Sequence, residues 1–81
     1  MYEKTVRVNN TDGLHAKAAA FLIQAATEFQ SAITIQKQDR TANGKSLLGV
    51  FALGVDQGDE VTIIAQGADE VQAVERLESL L

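Results

Sequence analysis

The sequence predicts an α+β fold in which helices cover one face of a single β-sheet, a two-layer sandwich. Stretches with a two-residue hydrophobic period alternate with stretches of helical period, in the order β-α-β-β-α-β-α. The strand stretches also alternate isoleucine or valine with threonine, which is typical of a sheet with one face in water. A chain of 81 residues forms one small domain, which we expect to span residues 1–81.

The first half of the chain contains three predicted strands and one helix. Alternation predicts a strand over residues 2–8, and turn-forming residues predict a loop after it. Apolar spacings of three and four predict a helix over residues 16–28, which its alanines favour intrinsically. Residues 31–37 alternate again, and a turn leads to a brief strand over residues 40–42, so the two form a hairpin. Within each element, apolar residues share one face. These are Val6 and Val8 in the first strand, Ala19, Leu22, Ile23 and Ala26 in the helix, and Ile33 and Ile35 in the second strand.

The second half contains a short helix, a strand and a final helix. The short helix is predicted from Ser46, a good N-cap, to Gly54, a residue type that commonly ends helices. Residues 60–66 alternate and predict a strand. Residues 68–81 predict a helix, with acids in the first turn, where the helix dipole favours them. Within each element, apolar residues are again predicted to share one face. These are Leu47, Val50 and Leu53 in the short helix, Val61, Ile63 and Ala65 in the strand, and Val71, Val74, Leu77 and Leu81 in the last helix.

Composition and charge exclude several function classes. The formal net charge of −4 argues against a nucleic-acid binder, because basic surfaces supply most of that affinity. No run approaches the roughly 20 apolar residues of a membrane span, and the first residues lack the apolar centre of a signal peptide. We therefore expect a cytoplasmic protein without nucleic-acid or membrane partners. With one histidine and no cysteine, we expect no metal site and no cofactor.

The single histidine, His15, stands at the start of the first predicted helix. Backbone N–H groups there lack intrahelical partners, so a helix start favours anions. A phosphoryl group on the imidazole would lie among the amides of Ala16 and Lys17 and near the Lys17 ammonium, while Gly13 lets the loop approach. Asp12 could cap the helix or orient the imidazole. A histidine in such a place is also commonly a surface residue without a function.

Two motifs carry a resemblance to a known family. "GLHAKAAA" contains His15, and "GKSLLGVFALG" follows about thirty residues later around Ser46. With "GDEVTIIAQGADE" before the last helix, essentially the whole chain resembles the HPr family. These are the histidine-containing phosphocarriers of the bacterial phosphoenolpyruvate:sugar phosphotransferase system. The resemblance implies an open-faced sandwich of four antiparallel strands covered on one face by three helices.

The resemblance also implies a function for His15. It implies that His15 accepts a phosphoryl group from Enzyme I as a pros-phosphohistidine, with Lys17 stabilising the phosphate. The group then passes to IIA domains of sugar permeases, so the protein is a stoichiometric carrier in sugar transport and not an enzyme.

The chain departs from the family's first motif at two positions. Lys17 stands where the family has arginine, and Ala18 stands where it has proline. Lysine offers a point charge, whereas arginine offers a planar fork that holds phosphate bidentately. Proline near a helix start presets the backbone angle φ. Because of these two changes, we expect phosphoryl transfer through His15 to be slower than in the family, or to be adapted to a different set of partners.

Ser46 has a structural and a regulatory interpretation. As an N-cap of the short helix it is adequately explained by structure alone. The resemblance implies in addition that an HPr kinase/phosphorylase phosphorylates Ser46 and that the phosphoserine form is a corepressor for a CcpA-type regulator of carbon catabolism. Phosphate suits a helix start, and Lys45 would soften the added charge.

The short helix carries more apolar residues than one face can bury. We expect Leu47 together with Leu48 or Phe51 to form an exposed apolar patch, typical of a docking surface; partial burial beneath a loop is the alternative. The resemblance implies that Enzyme I, the IIA domains and the kinase dock there, with Gly49 allowing close approach. The implied docking residues are Ala20, Gln24, Leu47, Leu48 and Phe51.

Three functional hypotheses follow. The first is the phosphocarrier. The second is a regulatory paralogue that acts through phosphorylated Ser46 and a transcription factor, with His15 idle. The third is a generic α+β ligand-binding or interaction domain, which explains the fold but not the joint spacing of the histidine and serine motifs.

Overall fold

One antiparallel sheet and three helices make up the molecule, in the predicted order. The structure is a computed structural model that describes residues 1–81 except for the side chain of residue 16. The strands lie side by side in the order β1-β4-β2-β3, and every neighbouring pair is antiparallel. The elements are β1 (Tyr2–Arg7), α1 (Ala16–Ala26), β2 (Ala32–Lys37), β3 (Arg40–Asn43), α2 (Leu47–Ala52), β4 (Glu60–Gln66) and α3 (Glu70–Glu78).

The two faces of the sheet differ as the alternation predicts. Ile63, at the centre of β4, is fully buried, and so is its β2 neighbour Ile35. On the opposite face Thr5 and Thr62 pair across β1 and β4, with their hydroxyl oxygens 2.9 Å apart. The helices therefore cover one face and leave the other open, which confirms the predicted two-layer sandwich.

Val71, predicted to share the apolar stripe of the last helix, is instead exposed. It keeps more than a third of its surface in water. In α3 the buried residues are Ala73, Val74 and Leu77, and at 3.6 residues per turn that stripe carries Val71 to its flank. The predicted place of Val71 in the stripe with Val74 and Leu77 is therefore wrong.

Asp69 joins the start of β2 to the start of α3. Its carboxylate accepts the backbone N–H groups of Gln30, at 2.9 Å, and Ser31, at 3.0 Å, and also the hydroxyl of the fully buried Ser31. These bonds, the Ser31 hydroxyl first, hold the pKa of Asp69 below its usual value. The contribution of Asp69 to stability is therefore present above the carboxyl pKa of the unfolded chain and is lost as the pH falls through the folded pKa.

Candidate functional site

His15 occupies the N-cap position of α1. Its backbone is extended, with φ −117° and ψ 155°, and its side chain is 39% exposed. Among the described side chains, none forms a capping hydrogen bond to the first turn of α1. The amides of Ala16 and Lys17 come before the first intrahelical hydrogen bonds and receive no cap from a described side chain, whereas the N–H of Ala18 donates to the His15 carbonyl at 3.1 Å. This arrangement can receive an anion beside the imidazole.

The imidazole is held on two sides by residues distant in sequence. Its Nε2 lies 2.8 Å from Oδ1 of Asp56, and its ring meets Phe51 edge-on, with centroids 5.9 Å apart and planes at 74°. Asp12 neither caps α1 nor contacts the ring; its backbone N–H donates to Oδ1 of Asn10. The roles considered for Asp12 are therefore wrong. Asp56 lies 41 residues from His15, and no local pattern pointed to it.

Backbone hydrogen bonds between the loop before α1 and the loop between α2 and β4 place His15 beside Asp56. The N–H of Leu14 donates to the carbonyl of Val55 at 2.9 Å, and the N–H of Gly58 donates to the carbonyl of Val8 at 2.8 Å. Gly13 adopts a left-handed backbone with φ +61°, and a side chain there would overlap the Val55 carbonyl oxygen. Only glycine fits this close approach without strain.

We expect Gly13→Ala to destabilise the protein more than Gly54→Ala. Gly54 has almost the same φ, +66°, but nothing lies within 4 Å of the position that a Cβ would occupy. Both variants bear the left-handed penalty of about 1–2 kcal/mol. Gly13→Ala adds overpacking against Val55, which typically costs about 1–3 kcal/mol. Urea unfolding of both variants measures the difference, and equal losses would contradict the described loop packing.

The apolar patch of α2 is exposed as predicted. It consists of Leu47, Leu48 and Phe51; Leu48 is 81% exposed, and the other two are about half exposed. The alternative in which a loop covers these residues is wrong. Because Phe51 also touches the ring of His15, the patch adjoins the imidazole directly. A partner that covers the patch therefore also covers His15.

Helix α1 contributes a second exposed surface, packed beside α2. Ala20 and Gln24 are exposed, as expected of docking residues, and so is Lys17. Phe21 is 56% exposed although no pattern singled it out. It stands four residues after Lys17 and three before Gln24, so helical geometry places all three on one side of α1. That spacing is the signal from which Phe21 could have been found.

Ser46 caps α2 as predicted, but its neighbour Lys45 behaves differently from expectation. Its Oγ accepts the backbone N–H of Gly49 at 3.1 Å. The ammonium of Lys45 donates to the carbonyl of Phe29 at 2.7 Å, so it is engaged away from Ser46. A Cβ on Gly49 would lie 3.3 Å from the Ser46 hydroxyl oxygen and 3.4 Å from the Cβ of Ala42, so this position is directed towards the cap of α2 and β3. The close approach of a partner at Gly49 stays a prediction.

Among the described residues, no cluster of three or more metal-ligating side chains is present. None of the described helices is long and apolar enough to cross a membrane.

Comparison with known proteins gives consistent matches over nearly the whole chain. A family model described as "PTS HPr component phosphorylation site" matches residues 2–81. The phosphocarrier protein HPr of Treponema pallidum is 41% identical over 80 residues, covering 99% of this chain and 91% of that protein. The HPr-like protein Crh of Bacillus subtilis is 42% identical over 77 residues, covering 95% and 91%. A crystal structure of HPr from Thermoanaerobacter tengcongensis superposes with a TM-score of 0.96 at 41% identity, covering 99% and 90%.

Proposed function

The chain belongs to the HPr family of phosphotransferase-system components, and from that premise we propose that it carries a phosphoryl group on His15. HPr is a phosphocarrier and not itself a catalyst, so the modified chain is a stoichiometric covalent intermediate. In the proposed cycle, His15 takes the group from Enzyme I in the cytoplasm and gives it to IIA domains of sugar permeases.

The observation that carries this proposal is the position of the imidazole. His15 stands at the N-cap of an eleven-residue helix, partly exposed, where no described side chain caps the first-turn amides. A phosphoryl group attached to the ring can accept hydrogen bonds from the amides of Ala16 and Lys17, and the Lys17 ammonium adds a positive charge. The site thus combines a nucleophile with oxyanion donors over three consecutive residues.

The exposed surfaces beside His15 support docking of macromolecular donors and acceptors. The apolar patch of α2 meets the His15 ring through Phe51, and Ala20 and Gln24 lie on the neighbouring helix. A carrier must leave one partner before it meets the next, which favours small interfaces with rapid dissociation. We propose that Enzyme I and the IIA domains bind this one shared surface in turn.

Phosphoenolpyruvate-dependent labelling tests the proposal. The chain is incubated with Enzyme I and labelled phosphoenolpyruvate, and the labelled protein is then exposed to acid. A phosphoramidate on imidazole is lost in acid, whereas a phosphoserine survives. Acid-labile label supports the carrier, and an unlabelled chain in the presence of active Enzyme I contradicts it.

We expect Lys17→Arg to raise the transfer rate severalfold. The planar guanidinium can hold two phosphate oxygens at once, whereas the ammonium acts as a point charge. Ala18→Pro presets φ but removes the N–H that donates to the His15 carbonyl at 3.1 Å, so we expect a smaller gain from it. Single-turnover transfer from Enzyme I measures both, with Lys17→Gln as the control that should slow transfer. An unchanged rate in Lys17→Arg would contradict the reasoning.

A regulatory role through Ser46 is the second candidate, favoured by the 42% identity to Crh. The Ser46 hydroxyl sits at the start of α2 next to the exposed Leu47 and Leu48. A phosphate there would meet first-turn amides and change the charge of the docking surface. Incubation with ATP and an HPr kinase/phosphorylase tests this role: acid-stable label on Ser46, followed by binding to a CcpA-type regulator, would support it. Failure of Ser46→Ala to remove that label would contradict it.

A further inference from the structure

The contact between Asp56 and His15 goes beyond what the motif around His15 provides. The Asp56 Oδ1 atom lies 2.8 Å from Nε2 of the ring, which is hydrogen-bond distance. A carboxylate accepts but does not donate, so Nε2 must carry the proton of this bond. In the neutral imidazole the other nitrogen, Nδ1, then holds the free electron pair.

Asp56 is itself held in place by Asp59 and Lys37, which together form a clasp around its loop. Its backbone N–H donates to Oδ2 of Asp59 at 2.9 Å, and Nζ of Lys37 lies 3.0 Å from the same oxygen. The Lys37 ammonium also donates to the carbonyl of Gly54 at 2.8 Å. The Asp56 N–H, followed by Lys37, lowers the pKa of Asp59, so the clasp stays charged at neutral pH. The loop that carries Asp56 is thereby fastened to the end of β2.

We propose that Asp56 is a positioning residue that keeps the proton on Nε2 of His15 and so leaves free Nδ1, the pros nitrogen that the family resemblance already implies as the acceptor. This inference rests on the proposed function of His15. The Phe51 edge contact supports the same ring orientation from another side. For metal-bound histidines, removing the hydrogen-bond partner of the second ring nitrogen typically costs about 10–100-fold in affinity or activity, and by analogy we expect the lower end of that range here.

The transfer step balances with the proton left in place. The electron pair of Nδ1 attacks the phosphorus of a phosphohistidine donor, the P–N bond of the donor breaks, and its electron pair stays on the donor nitrogen. The ring of His15 gains one positive charge because Nε2 keeps its proton. The Asp56 carboxylate offsets that charge. On transfer to the next acceptor the pair returns to Nδ1, and the ring becomes neutral again.

The first arm of the test reads the tautomer and needs no partner protein. Long-range ¹H–¹⁵N NMR of the free chain, at a pH where the imidazole is neutral, gives the two nitrogen shifts. We expect a dominant Nε2–H form in the parent chain and a shift towards a mixture of tautomers in Asp56→Ala. Asp12→Asn is the matched control, since it removes one carboxylate from a nearby loop, and it should leave the shifts unchanged. Parent-like shifts in Asp56→Ala would overturn the proposal.

The second arm measures transfer from Enzyme I. We expect Asp56→Ala to lower the rate about tenfold. Asp56→Asn, which keeps an oxygen acceptor but no charge, should fall between Asp56→Ala and the parent. Because 73% of the Asp56 side chain is exposed, both variants should fold, and thermal melting checks this. A parent-like rate in Asp56→Ala would overturn the positioning role.

The two arms separate this inference from the proposed function. If the parent chain accepts no phosphoryl group from Enzyme I, the proposed function fails, and the nitrogen shifts alone decide whether Asp56 sets the tautomer. If the parent chain is phosphorylated, ³¹P–¹⁵N correlation identifies the modified nitrogen. Modification at Nε2 overturns the proposal, and with modification at Nδ1 the nitrogen shifts and transfer rate of Asp56→Ala decide it.

Discussion

His15→Ala is expected to abolish phosphoenolpyruvate-dependent, acid-labile labelling of the chain. His15 is the single histidine, so no second imidazole can form a phosphoramidate in its place. The protein should still fold, because the ring lies at the helix start, outside the buried core, and exposed substitutions usually change stability by less than about 0.5 kcal/mol. Labelling with Enzyme I measures the first effect, and a thermal melt measures the second.

His15→Asn is the matched control for the structural part of this prediction. Asparagine is a good N-cap residue, so it keeps the start of α1 at least as stable as the parent chain while removing the nucleophile. Both variants should be unlabelled and folded. Acid-labile label that persists in either variant would contradict the assignment of His15 as acceptor.

Ser46→Asp is expected to lower the rate of Enzyme I-dependent labelling about tenfold, the effect of about 1.4 kcal/mol of repulsion. Enzyme I must bring its own phosphohistidine to the surface that α2 shares with His15, and the added negative charge opposes this approach. The nearest cation in sequence, Lys45, is engaged with the Phe29 carbonyl and does not neutralise the charge. The loss should appear as weaker binding, that is, a raised KM.

Ser46→Asn separates charge from helix capping. Aspartate and asparagine are both good N-caps, so both variants should melt close to the parent chain. We expect Ser46→Asn to keep the parent's rate, measured as initial rate against carrier concentration. An unchanged rate in Ser46→Asp would show that the two sites act independently. A large drop in melting temperature in Ser46→Asp would show that Ser46 has a structural role that aspartate cannot fill.

The local patterns of the sequence were sufficient to predict the strands and helices and to single out His15 and Ser46. Strand and helix periods depend on which side chains recur every two or every 3.6 residues, and these periods can be read without knowing the fold. The same holds for His15 and Ser46, because capping and anion binding depend on the first turn of a helix. The single-faced burial of Val61, Ile63 and Ala65 follows equally from alternation.

Periodicity was less informative at the edge of the apolar stripe in α3. It placed Val71 with the buried Val74 and Leu77, although Val71 lies in the first turn of the helix and is exposed. A stripe defined by spacing has uncertain edges, and packing against the sheet determines which flank is buried.

What the sequence by itself determined is the order of elements, the α+β class and the two residues, His15 and Ser46, at helix starts. Only the tertiary structure decided that Asp56 meets the His15 ring, that Lys45 bonds to the Phe29 carbonyl, and that Gly13 lies close against the Val55 carbonyl. The physical reason is separation along the chain. Hydrogen bonds and close approaches between distant loops depend on how the sheet and helices pack, and no repeat of neighbouring residues records that packing.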